Sequence, residues 1–141
     1  MTLTLKQAQT ILDAALKKGR EKNFRPLSVA VLDARGCLVA YAMEDGGLLR
    51  EVIAKGKAWG ALGMGRSSRG LEQLAKDRPH FMGAIVEASA GRVVPVPGGV
   101  LVKDKAGVIV GAVGVSGDTS DNDEIVAVAG IEAAGLAAGV D

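Results

Sequence analysis

Leu5, Ala8, Leu12, Ala15 and Leu16 recur at three- and four-residue spacing, so one side of residues 5–18 is apolar and a first helix is predicted there. Thr4 and Gln7 stand in front of it with the spacing of a capping box, and Gly19 is placed to end it. After Pro26 the pattern changes. Residues 27–33 (LSVAVLD) form an apolar run of strand length, 34–36 (ARG) a tight turn, and 37–43 (CLVAYAM) a returning strand. The short connection predicts an antiparallel hairpin. Residues 51–62 (EVIAKGKAWGAL) go back to helical spacing through Val52, Ala58, Trp59 and Leu62, with Gly63 and Gly65 as stop signals.

Ser67 or Ser68 can cap the helical stretch SRGLEQLAKD, and Pro79 suits the first turn of PHFMGAIVEA. Beyond residues 89–91 the pattern turns strand-like: Val93-Val94, then 99–103, then 108–115, with 104–107 as the turn between the last two. A last helix is predicted over 120–138. Asp118, Thr119 or Ser120 can cap it, and Asp121, Asp123 and Glu124 sit where the helix dipole favours negative charge. Hairpin-linked strands interrupted by helices favour an antiparallel α+β sheet over a doubly wound parallel one. With no repeat and no linker, residues 1–141 read as one domain.

Composition narrows the functional classes. A chain 48% hydrophobic and 23% charged is globular rather than disordered. Net charge is +1, with both signs mixed, so neither nucleic acid nor an anionic membrane is an expected partner. The 20 glycines are about twice the usual share. Small residues bury little area each, which leads us to expect stabilisation by self-association. A single cysteine, Cys37, rules out an intrachain disulfide and a Cys-based metal cluster. The N-terminus lacks the pattern of a signal peptide and no run approaches 18 apolar residues, so the expected location is cytoplasmic.

The segment 95–124, PVPGGVLVKDKAGVIVGAVGVSGDTSDNDE, concentrates the candidate chemistry. Its two glycine clusters, Gly98-Gly99 and Gly114 to Asp118, would fall at neighbouring ends of one sheet. Backbone concavities of that kind take carboxylates, phosphates or cofactor edges. The acidic cluster from Asp118 to Glu124 does not follow the calcium-loop spacing, and helix capping accounts for it; no metal site is expected. His80 is the only histidine, a candidate iron ligand or general base beside the plainer reading of an exposed helix-start residue. Lys55 and Lys57 would point about 200° apart on one helix, so at most one faces a given pocket. Trp59 reads as a core anchor that could also stack on a planar ligand. Neither a nucleophile elbow nor a Walker loop is present.

The stretches LSVAVLDARGCLVAY, IAKGKAWGALGMG, PVPGGVLV and VIVGAVGVSGDTSDNDEIVAVAGI, in this order, resemble the GlcG/HbpS family of heme-binding-like proteins, also seen as the C-terminal domain of PduO-type cobalamin adenosyltransferases. The resemblance spans about residues 3–136. It implies a profilin-like five-stranded antiparallel sheet with helices on both faces, and dimers or larger homo-oligomers. It also implies heme as a candidate cofactor, yet the histidine used near the end of the first helix has no counterpart in LDAALKKGREKNF, where Lys17, Lys18 and Lys22 are poor substitutes because a lysine must lose its proton before it ligates iron. Thr119 is the nearest match to a threonine that touches heme in another branch. The family's packing makes Lys57 or Arg66 a partner for an anionic ligand.

Two functional expectations follow. The first is a binding module that holds a small anionic or planar molecule at Gly98, Gly99, Gly117, Asp118 and Thr119, with Lys57 and Arg66 nearby. The second is a small catabolic isomerase, lyase or hydrolase, with Asp118 or His80 moving a proton and Lys57 or Arg66 clamping a carboxylate.

Overall fold

The computed structural model describes residues 2–141. Along the chain it places α1 (Leu5–Glu21), β1 (Ser28–Asp33), β2 (Leu38–Met43), α2 (Arg50–Met64), α3 (Ser68–Asp77) and α4 (Pro79–Ala88). β3 (Gly99–Lys103), β4 (Ile109–Ser116), α5 (Ser120–Ala133) and β5 (Ala137–Gly139) complete it. The strands form one five-stranded sheet in the order β2-β1-β4-β3-β5, every neighbouring pair antiparallel. This is the expected α+β architecture.

Period-two alternation decides which residues face which layer. Val29 and Val31 of β1, Val100 and Val102 of β3, and Val113 and Val115 of β4 point to one side, against Ile11, Leu12, Val126 and Ile131 of α1 and α5. Burying one such side chain fully contributes about 1.5–3 kcal/mol, so this layer is the main core. The opposite face carries Leu32, Leu101 and Ala112, and α2 lies on it through Ala58 and Ala61. A third cluster of Leu71, Met82 and Val93 fastens α3 and α4 to the outer side of α2. Trp59 packs against both of the last two clusters.

The structure corrects the chain's local reading in four places. Gly19 does not end α1, which continues to Glu21. It is buried where a Cβ would stand 2.5 Å from Leu27 Cδ1, and the turn is made by Asn23 at φ 56°. Gly63 lies inside α2, and Gly65, at φ +68°, ends that helix alone. Val93 and Val94 form a loop rather than a strand, because their side chains pack on α2 at Gly56 and Gly60. The last helix stops at Ala133, after which Gly135 turns the chain with φ +74°. Residues predicted as its final turn become β5, paired to β3 through Leu101 and Gly139.

Candidate functional site

The glycine face of the sheet is a seat for α2. Gly99 and Gly114 are cross-strand partners. A Cβ on Gly114 would fall 1.9 Å from the Ala54 carbonyl oxygen, and one on Gly99 2.3 Å from the Lys57 carbonyl oxygen. The helix backbone therefore rests directly on these positions. The Gly99 N–H donates to Ser68 Oγ at 2.6 Å, and the Gly98 carbonyl accepts from the Val115 N–H at 3.0 Å. The expected anion nest at Gly98 and Gly99 is thus filled by the protein itself. Gly117, at φ +143°, crosses close over Pro26, where a Cβ would meet the Pro26 carbonyl at 2.3 Å.

Lys57 does not reach a pocket. Its ammonium is buried and donates to the Val115 carbonyl and to Asp123 Oδ2, both at 2.9 Å. Burial pushes the Asp123 carboxyl up against the pull of Lys57, and its other oxygen accepts from the Asp118 N–H at 3.0 Å. The sequence reading placed Asp123 among the acidic residues that suit the start of the last helix. It is instead the buried counter-ion that joins α2, β4 and the start of α5.

The proton-transfer and clamp expectations are not assembled either. Asp118 Oδ2 accepts from the Arg25 N–H at 2.8 Å, while Oδ1 accepts from the Thr119 N–H and from Asn122 Nδ2. These bonds, the Arg25 one foremost, hold its carboxyl below the usual carboxylate range, which suits an anchor and not a general base. Thr119 is the N-cap of α5, accepting from the Asn122 N–H. Arg66 pairs with Asp141 at 3.3 Å. His80 is exposed on the first turn of α4, and no hydrogen bond or ion pair among the described residues links it to Asp118.

A cleft of about 380 Å³ opens elsewhere, between the β1–β2 hairpin, α2 and the loop after α4. Val52, Lys55, Gly56 and Trp59 line it at i, i+3, i+4 and i+7, which is one stripe of α2. Leu32 and Leu38 add an apolar wall from the hairpin. On the third side the chain leaves α4 through two consecutive left-handed residues, Ala90 at φ 55° and Gly91 at φ 76°. A non-glycine residue in that region costs about 1–2 kcal/mol. This turn aims Arg92 back across the cleft, its Cζ 3.8 Å from the centroid of the Trp59 ring. Planar aromatic surface, apolar walls and the two cations Lys55 and Arg92 thus meet in one place.

Sequence reasoning missed Lys55 and Arg92. The opposed directions of Lys55 and Lys57 were legible, but which one entered the core depended on the glycine seat beneath α2. Arg92 stands 33 positions from Trp59, and no local pattern connects them.

A shallower groove of about 310 Å³ runs between α1 and α5. There Lys18 faces two carboxylates, Glu124 and Glu132, a poor balance for an anionic ligand.

No helix among the described residues is long and apolar enough to cross a membrane. Comparison with solved structures finds the same fold repeatedly. A structure of the PduOC:heme complex is 23% identical, with a TM-score of 0.86 over 96% of this chain and 97% of that one. Protein ORFY of Klebsiella pneumoniae is 25% identical, with a TM-score of 0.86 over 96% and 92%. A double mutant of HbpS from Streptomyces reticuli is 28% identical, with a TM-score of 0.80 over 94% and 86%. Among curated proteins, none matches the chain. The family model described as haem degrading protein HbpS-like matches residues 3–132, and the chain belongs to this HbpS-like family.

Proposed function

We propose that this protein binds a flat, carboxylated ring molecule in the Trp59–Arg92 cleft, with heme as the first candidate. The observation that carries the reading is the Arg92 guanidinium stacked 3.8 Å over the only tryptophan of the chain, inside an apolar cleft. An aromatic face takes a planar ring, and a guanidinium beside it takes a carboxylate through charge-assisted hydrogen bonds. Family membership and the heme complex of the similar PduOC structure support the choice of ligand. Val52, Leu38 and the Trp59 side offer apolar surface for pyrrole rings, and Arg92 and Lys55 offer cations for the propionates.

Self-association and a cytoplasmic location belong to the same proposal. Leu48 (90% exposed), Leu49 (63%) and Val52 (59%), exposed apolar residues at and just before the start of α2, support self-association, and analytical ultracentrifugation reads it.

Heme titration followed at the Soret band tests the function. A saturable, stoichiometric shift is expected in wild type and in His80→Ala. In Arg92→Glu the affinity drops by about tenfold or more, the scale of one lost charge-assisted contact. Equal affinity in wild type and Arg92→Glu removes the cleft from the account.

A further inference from the structure

The chemistry of the cleft lining separates the ring of a tetrapyrrole from its metal. Iron needs a side chain with a free lone pair. Among the described residues that line the cleft, the polar side chains are Lys55, Trp59 and Arg92. An indole N–H and a guanidinium only donate hydrogen bonds, and an ammonium has no lone pair to offer a metal. Lys55 is further engaged with Glu51, at 3.8 Å. His80 lies on α4, away from the lining. Cys37 sits beside the lining residues Gly36 and Leu38 but is not itself part of the wall.

We infer that the cleft recognises the aromatic plane and the carboxylates of its ligand without a protein ligand to iron, so that its ligands are porphyrin dicarboxylates with or without a metal. The inference rests on the cleft-binding reading above. Stacking on the Arg92–Trp59 layer draws on ring area, and the Arg92 and Lys55 contacts draw on carboxylates. The ring area and the carboxylates are the same with and without the central metal. The two consecutive left-handed residues Ala90 and Gly91 turn the chain just before Arg92, which stands over Trp59.

The test compares protoporphyrin IX with hemin on the full chain, the first by fluorescence anisotropy and the second by Soret absorbance. The expected result is two dissociation constants within about threefold of each other, both weakened about tenfold or more by Arg92→Glu and unaffected by Cys37→Ser. Circular dichroism of Arg92→Glu checks that the exposed position tolerates the change. Lys55→Glu repeats the test at the second cation if Arg92→Glu fails to fold. Binding of hemin with no binding of protoporphyrin IX overturns the inference and leaves the heme-binding reading standing. A hemin affinity that collapses in Cys37→Ser also overturns it, by identifying an iron ligand. If neither porphyrin binds, the cleft-binding reading falls and the inference falls with it.

Discussion

The Lys57 ammonium and the Asp123 carboxylate meet 2.9 Å apart with about 2% of each side chain exposed. Removing one partner of a buried pair leaves an uncompensated charge, at a cost of about 3–5 kcal/mol. Lys57→Met and Asp123→Leu are each expected to lower the unfolding free energy by that amount in urea titrations. The double variant is expected to lose less than the sum, because it buries no lone charge. Additive losses would show that the two groups do not depend on each other.

Gly114 and Gly63 are predicted to respond oppositely to alanine. At Gly114 the new methyl meets the Ala54 carbonyl backbone at 1.9 Å, so α2 must lift, with a loss of about 3 kcal/mol or more. Gly63 is a helix position with nothing within 4 Å of the added atom. Alanine there stabilises by about 0.5–1 kcal/mol through helix propensity. Thermal midpoints of the two variants check both signs.

Asp118 sets a pH dependence. Its carboxyl lies below the ordinary value because the Arg25 N–H, the Asn122 amide and the Thr119 N–H all donate to it. A carboxyl lowered by folding contributes stability above its unfolded value near 3.8, and that contribution is lost as pH falls through the folded value. Wild type should therefore exceed Asp118→Asn in stability at pH 7, with the gap closing at pH values below 3.8. Asp33 should behave in the same way. Burial works to raise it, but the hydrogen bonds from Arg35 and Cys37 outweigh burial and lower it. Denaturant midpoints measured from pH 7 to pH 3 report both.

The catalogue of helices and the β1–β2 hairpin were legible because apolar periodicity, the Thr4 capping box and Pro79 act locally. β5 was not legible. Its residues, Ala137–Gly139, follow a helix of similar composition, and only pairing with β3 makes them a strand. The glycine clusters were located correctly but their occupant was not. A glycine that admits a ligand and a glycine that admits a helix backbone look alike in sequence, and Gly114 under Ala54 is the second kind. The candidate cleft escaped because Trp59 and Arg92 meet only after α3 and α4 fold back over α2.

Trp59 is the only tryptophan, so its emission reports the Arg92 stack directly. Arg92→Ala replaces a guanidinium over the ring with water, and the emission maximum is expected to move to longer wavelength. A spectrum identical to wild type would contradict the stacked geometry.

The most direct measurement is the position of bound hemin, read from paramagnetic broadening of backbone amide resonances in the isotope-labelled protein. The cleft assignment predicts that the amides of Leu38, Val52, Gly91 and Arg92 broaden first and that those of Gly98, Gly117 and Thr119 stay sharp. Broadening centred on Lys17, Lys18 and Lys22 at the end of α1, or on the glycine loops, would contradict it.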